Sequence, residues 1–282
     1  MRKPLLVALI GALVTLLYAS VIEPRWLIVR EVEILDSDIP PSFDGKRIAF
    51  LTDMHHGPYF SLRRVKSLVD RTNALQPDLI LMGGDYVYLG AQYIGPCFAE
   101  LARLDAPCGK FGVLGNHDHW NDARLTRQGM RAAGITVLDN RAEWIAVGEE
   151  RIRVGGVGDL WEDSQHLSAT TSGVKDEDLA ILLSHNPDYV ESIHTAAVDL
   201  VLSGHTHGGQ VTVFGLWAPI TNSDFGQKYR SGVVRTPSTT AIVSNGVGTV
   251  TPPLRFGARP EIILIHLRRP TPGSETALRS TQ

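Results

Sequence analysis

The chain is poor in cysteine. Cys97 and Cys108 are the only two among 282 residues, and they bracket a stretch that reads as helix, where eleven residues span about 16 Å, beyond the reach of a disulfide. Cysteine usage therefore does not report a redox compartment. A surplus of positive charge is also lacking: 27 Lys and Arg stand against 30 Asp and Glu, for a net charge of -3 and a pI near 6.4. No overall basic field draws the protein onto nucleic acid, and no basic stripe or aromatic ladder fits a single strand, so no stable nucleic-acid partner is expected. Internal repeats of solenoid type are missing. With 43% hydrophobic residues over this length, one main domain is the simplest organisation.

One long charge-free run is present. Leu5 to Ile22 would span about 27 Å as a helix, close to the hydrocarbon thickness of a bilayer. A cleaved signal peptide is the rival reading, but no small-x-small site stands around Leu17-Tyr18-Ala19-Ser20-Val21. Arg2 and Lys3 on one side and Arg25 and Arg30 on the other barely tip the balance toward a cytoplasmic N-terminus and an extracytoplasmic domain. The expected organisation is an N-terminal membrane anchor over residues 1–25, a linker and edge strand over 26–45, the main domain over 46–269 and a disordered tail over 270–282.

Hydrophobic periodicity alternates strand and helix. Lys46 to Thr52, Asp78 to Met82 and Phe111 to Leu114 read as buried strands, separated by helices over Ser61–Leu75 and about Cys97–Leu104. Such repeated units predict a parallel, right-handed βαβ arrangement that brings the turns to one edge. A helix over Ala123–Ala133, a strand over Ile135–Leu138, a hairpin of Trp144–Val147 with Arg151–Val154, and strands at Leu179–Leu183 and Val198–Leu202 follow. Gly155 to Asp178, rich in Gly, Ser, Thr and acids with Trp161 inside, reads as a long loop at a substrate rim. Gln210–Val213, Thr240–Ser244 and Ile262–His266 are assigned to a second, largely antiparallel sheet.

Five strand ends carry polar clusters: Asp53 with His55, Asp85, Asn116 with His117 and Asp118, His185, and His205 with His207. Imidazole mixed with carboxylate suits Zn²⁺, Mn²⁺ or Fe²⁺, whereas Mg²⁺ or Ca²⁺ would favour mostly oxygen. Read in order, the clusters spell D-x-H, G-D, G-N-H-D, H and G-H-x-H, and over Lys46–Leu267 the chain resembles the calcineurin-like metallophosphoesterase superfamily. Val243-Ser244-Asn245-Gly246-Val247-Gly248, Pro253-Leu254-Arg255 and Pro260-Glu261-Ile262 further resemble a bacterial, often membrane-anchored branch that includes enzymes similar to UDP-2,3-diacylglucosamine pyrophosphatase.

That resemblance implies an α/β fold, a four-layer αββα sandwich of two mixed sheets, preceded here by the N-terminal transmembrane helix, and two divalent metal ions. Asp53, His55 and His207 would hold one metal, Asn116, His185 and His205 the other, with Asp85 bridging. His117, oriented by Asp118, would serve as hydrogen-bond donor or general acid while metal-activated water attacks phosphorus in line. The expected substrate is a phosphodiester or pyrophosphate, lipid-linked or of the cell envelope, at the bacterial inner membrane. UDP-2,3-diacylglucosamine pyrophosphatase, a nuclease and a non-catalytic metal scaffold are the alternatives. His56 and His119 are either substrate contacts or bystanders. His166, His194 and His266 lie outside the motifs and are read as structural. Arg255 either binds phosphate or packs against the sheet edge, and Tyr86 and Tyr88 either line the pocket or fill the core.

Overall fold

The computed structural model describes residues 2–270 and 277–280. α1 (Arg2–Leu17) continues through a π turn at Tyr18–Ile22 and a 3₁₀ turn at Glu23–Arg25. The helical stretch Lys3–Arg25 is long and apolar enough to cross a membrane, a test that signal sequences also pass, and almost none of it is buried against the domain.

The domain then runs β1 (Ile28–Leu35), β2 (Arg47–Leu51), α2 (Leu62–Ala74), β3 (Leu79–Met82), α3 (Ile94–Leu101), β4 (Lys110–Gly112), α4 (Asn116–Ala132) and β5 (Ile135–Val137). It continues with β6 (Arg141–Val147), β7 (Glu150–Gly156), α5 (Ser168–Thr171), β8 (Ala180–Leu183), β9 (Leu200–Ser203), β10 (Gly232–Arg235), β11 (Thr240–Val243), β12 (Glu261–Arg268) and β13 (Ala277–Ser280). One sheet has the order β13-β1-β12-β2-β3-β4-β5 and the other β10-β11-β9-β8-β7-β6. Both are mixed, and both carry helices or short turns on their outer faces.

Side-chain alternation builds the layers. Along β2, Ile48 and Phe50 enter the core between the sheets, while Ala49 and Leu51 face α2 and α3. Leu79 and Leu81 against Ile80 and Met82 repeat the pattern on β3. On the second sheet Ile181 and Leu183 point inward, and Leu182 points out to Tyr189, Val190 and Ile193 of a 3₁₀ turn. That outer layer is thin: α5 has four residues and the rest is turn. In α2, Val65, Leu68, Val69 and Thr72 form the buried stripe that helical spacing predicts.

Three expectations change. The second sheet is not largely antiparallel: β11, β9, β8 and β7 run parallel, and only the flanking β10 and β6 reverse. Short 3₁₀ crossovers such as Pro187–Ser192 connect its parallel strands, and they lack the long periodic signature that announces a βαβ unit. Ile262–His266 belongs to the first sheet as part of β12, parallel to β1 and antiparallel to β2; Gln210–Val213 is no strand and makes isolated bridges from Val211 to Phe256 and from Val213 to Trp217. Finally, β1 is not an edge strand, because β13, inside the stretch expected to be a disordered tail, pairs antiparallel with it from Val32 to Leu35; residues 271–276 and 281–282 of that tail lie outside the described residues. Cys97 and Cys108 are free thiols.

Because β1 is antiparallel to β2 through β12, its first residue, Ile28, lies at the edge where β2, β3 and β4 end. The apolar N-terminal helix therefore leaves the domain from that edge.

Candidate metal centre

All five clusters meet at this edge. Asp53 and His55 follow β2, Asp85 follows β3, Asn116 opens α4 after β4, His185 follows β8, and His205 and His207 follow β9. The motif Gly115–His119 opens a short helical turn capped by Gly115, and a break at extended Asp122 (φ −178°, ψ 96°) separates it from the helix that continues to Ala132, close to the expected Ala123–Ala133. The turns are tight enough that Asp53, His55, Asp85, His205 and His207 all have positive φ, between 48° and 69°. Non-glycine residues avoid that region unless their surroundings hold them there. Neighbouring glycines make the crowding feasible. A Cβ on Gly115 would stand 2.3 Å from Asp85 Oδ1, and one on Gly204 would stand 2.1 Å from Asp53 Oδ2. Gly84, Gly208 and Gly209 take positive φ as well.

The donor atoms converge. Nε2 of His55 and Nε2 of His207 are 3.0 Å apart, with Asp53 Oδ1 at 3.9 Å from the first and 3.5 Å from the second. Asp85 Oδ2 lies 3.5 Å from His55 Nε2 and 3.2 Å from His185 Nε2. Asn116 Oδ1 lies 3.1 Å from His205 Nδ1. His185 tests whether a cation fits. Its Nδ1 sits 2.7 Å from the carbonyl of Gly83, which can only accept, so Nδ1 carries a proton and Nε2, 3.2 Å from the Asp85 carboxylate, is left to ligate a cation or, without one, to hold a second proton. Positive charge beside the carboxylate, whether that proton or a metal ion, satisfies both groups, and the His55 and His207 ring nitrogens lie 3.0 Å apart nearby. The nitrogen and oxygen donor set suits borderline divalent cations.

The electrostatics agree. Burial pushes His55 and His205 down to about 3 and lowers His207 as well, so these rings are neutral, the form a metal requires. Burial pushes Asp53 up to about 6. His185 behaves oppositely: burial disfavours its charge, but Asp85, Asp53 and Asp159 outweigh that and hold it well above the usual range. Without a cation, the proton on His185 thus offsets part of the Asp53 and Asp85 charge, the place a metal ion would take.

His117 and Asp118 part company. The His117 ring sits 4.8 Å from His55, 5.0 Å from Tyr88 and 4.5 Å from Trp120, centroid to centroid. Asp118 does not orient it. The buried Asp118 carboxylate accepts from the backbone N–H groups of Asp85 at 2.7 Å, Tyr86 at 2.9 Å and Gly115 at 3.0 Å, because as the third residue of α4 it folds back over the helix N-terminus. It ties the β3 turn to the β4 turn.

The open alternatives resolve individually. Arg255 is completely buried and gives its guanidinium to the carbonyls of Gly248, Ala258 and Asn245, so it is a structural clamp. Tyr86 is core, packed against Phe98, whereas Tyr88 stands beside His55 and His117 and lines the site. His56 is buried, with Nδ1 2.7 Å from the Phe60 carbonyl. His266 pairs with Glu31 at the surface. Trp120, which sequence reasoning passed over, combines with Trp161 of the long loop: the rings stack at 6.5 Å, and Trp161 meets His205 edge-on at 4.4 Å. Its place one helical turn after Asn116 was the available signal.

Comparison with known proteins gives the same answer. The model of the calcineurin-like phosphoesterase family matches residues 46–209. The chain is 34% identical over 258 residues to the uncharacterized metallophosphoesterase YkuE of Bacillus subtilis, covering 89% of each chain. It is 30% identical over 260 residues to phosphodiesterase YaeI of Escherichia coli, covering 89% of this chain and 92% of that one. Among solved structures, the NAD nucleotidase of Haemophilus influenzae is similar in fold, with a TM-score of 0.50 at 15% identity over 72% of this chain and 50% of that one. The chain belongs to the calcineurin-like phosphoesterase family and is a phosphoesterase hydrolase.

Proposed function

We propose that the protein is a dinuclear phosphodiesterase held at a bilayer surface by α1, acting on a lipid-linked or envelope phosphodiester or pyrophosphate. The observation that carries the reading is positional: seven ligand-type side chains gather at the sheet edge from which the apolar helix departs. Similarity to YaeI, a phosphodiesterase of Escherichia coli, supports a diester over a monoester.

In this reading Asp53, His55 and His207 hold one cation, Asn116, His185 and His205 the other, and Asp85 reaches both. Manganese, zinc or iron would each suit these donors. When bound, such a pair polarises phosphoryl oxygens and brings water within reach of ionisation at neutral pH. The protein supplies the rest. Burial lowers the pKa of His117, although Asp85 pulls it upward, so at pH 7 the ring is neutral and donates a hydrogen bond through N–H to the phosphoryl or leaving oxygen. The backbone N–H of His117 holds Asp85 Oδ1 at 2.9 Å, fixing the carboxylate shared by both metal sets. Tyr88 on one side and the Trp120–Trp161 stack on the other flank His117, forming aromatic walls for a large leaving group.

The location that accompanies this reading is the bacterial inner membrane, with the domain outward. The test is hydrolysis by detergent-solubilised, manganese-loaded protein of a chromogenic diester, a chromogenic monoester and UDP-2,3-diacylglucosamine in parallel. The diester or the lipid nucleotide should turn over fastest, and preference for the lipid nucleotide would identify a pyrophosphatase and place the domain on the cytoplasmic face. Faster turnover of the monoester would overturn the assignment.

A further inference from the structure

The segment that follows the His207 motif carries a dense run of exposed large apolar side chains. Phe214 is 89% exposed, Leu216 80% and Ile220 68%, with Val213, Trp217 and Phe225 also exposed, all within thirteen residues. Soluble domains rarely carry so dense an apolar cluster without a partner.

The cluster is built rather than frayed. Val213 N–H donates to the Trp217 carbonyl at 2.7 Å, Gly215 N–H to Thr212 Oγ1 at 3.0 Å, and Ala218 N–H to Gln227 Oε1 at 3.0 Å. Arg230 Nη2 holds the Gly215 carbonyl at 2.9 Å. At the tip Phe214 has a φ of 54°, a conformation that turns an aromatic ring outward at a steric cost.

Its position names the partner. A cavity of about 420 Å³ is lined by Tyr18 and Glu23 from the base of α1 together with Phe214, Gly215 and Phe256. Tyr18 meets Phe256 edge-on at 6.1 Å. Phe256 accepts from Thr212, Arg255 N–H donates to the Ala19 carbonyl, and Ala258 N–H donates to Glu23. The loop and the foot of the apolar helix are thus one hydrogen-bonded unit. Beside them Arg259 covers the Trp26 ring at 3.9 Å and Lys228 lies over Tyr229 at 5.1 Å, the mixture of aromatic and basic side chains that suits a headgroup boundary.

We propose that the loop from Val211 to Phe225 inserts its apolar tip into the same bilayer as α1, so that the domain docks at two points. It rests on α1 lying in a bilayer. A helix alone would leave the domain free to swivel; a second contact fixes the metal-bearing edge against the surface. The loop begins one residue after His207-Gly208-Gly209, which links membrane contact to the ligand turn.

The test uses the full chain in phospholipid bilayer discs, with an environment-sensitive fluorophore placed by Leu216→Cys, Ile220→Cys, Val14→Cys or Glu149→Cys in a Cys108→Ser background. Lipids spin-labelled on the acyl chain are the quencher. Labels at 216 and 220 should lose most of their emission, as at 14, while the label at 149, in the turn between β6 and β7, should keep it. Quenching at 14 but not at 216 and 220 overturns the second contact and leaves the anchor standing. Absence of quenching at 14 removes the bilayer and the proposal with it. A blue shift at 216 that appears only with several copies per disc, without quenching, overturns it in favour of contact between copies.

Discussion

Replacing Asp118 with Asn separates a brace from a catalytic partner. The two side-chain oxygens of the fully buried Asp118 accept three backbone N–H groups, from Asp85, Tyr86 and Gly115. An amide offers one acceptor oxygen and turns an NH₂ group toward the remaining donors. At least one N–H is then unpaired, at about 1–3 kcal/mol. The upper end of that cost corresponds to a fall of about 6–12 °C in melting temperature for a domain of this size. Because two of the three donors belong to the turn that carries Asp85, metal stoichiometry should fall with it. The assay is thermal unfolding of the metal-loaded Asp118→Asn protein, followed by metal analysis and a pH–rate profile. The profile should keep its shape. An unchanged melting temperature together with loss of one limb of that profile would refute the reasoning and return Asp118 to the role of orienting His117.

Other substitutions test other parts. Asp85→Ala should abolish loading of both metals, read by elemental analysis, whereas His117→Ala should keep them and lower turnover by about 10²–10⁴; near-normal activity in both would sink the site assignment. Arg255→Lys should lower the melting temperature, since a lysine cannot serve the carbonyls of Gly248, Ala258 and Asn245 together, while leaving KM for the diester unchanged; a raised KM alone would make it a phosphate ligand. Burial, with Asp36 and Asp38 nearby, pushes Asp199 up to about 6. A raised carboxyl pKa means that its stabilising contribution is complete below about 3.8 and is lost as pH rises through about 6. Asp199→Asn should therefore stabilise the protein by about 1–2 kcal/mol at pH 8 and little at pH 4; an equal effect at both would exclude the titration.

The metal edge was legible because each of its pieces is local. A buried run such as Ile48–Leu51 ends, the next residues are Asp53 and His55, and nothing distant is needed to see that they sit at a strand end. The same holds for Asp85 after Leu79–Met82 and for His205 after Leu200–Ser203. What escaped depended on contacts between segments far apart. The parallel direction of β8 and β9 is set by crossovers too short to show periodicity. The place of β12 between β1 and β2 joins residues more than two hundred positions apart. The family resemblance paired Asp118 with its neighbour His117, whereas its donors Asp85 and Tyr86 lie 33 and 32 residues upstream, where no local pattern shows them. Arg255 could be settled only by seeing that carbonyls surround it.

The positive φ angles of Asp53, His55, Asp85, His205 and His207 also bear on how such a site decays. At an ordinary position alanine is the mild replacement and glycine the harsh one. Here the backbone already occupies a region that costs an L-residue about 1–2 kcal/mol and glycine almost nothing. Once metal binding is no longer needed, glycine relieves that cost and alanine does not, so Asp85→Gly should melt above Asp85→Ala in metal-free protein. Descendants that drift away from hydrolysis would accordingly collect glycine at these five positions, leaving a pseudoenzyme whose lost chemistry can still be read from where its glycines fall.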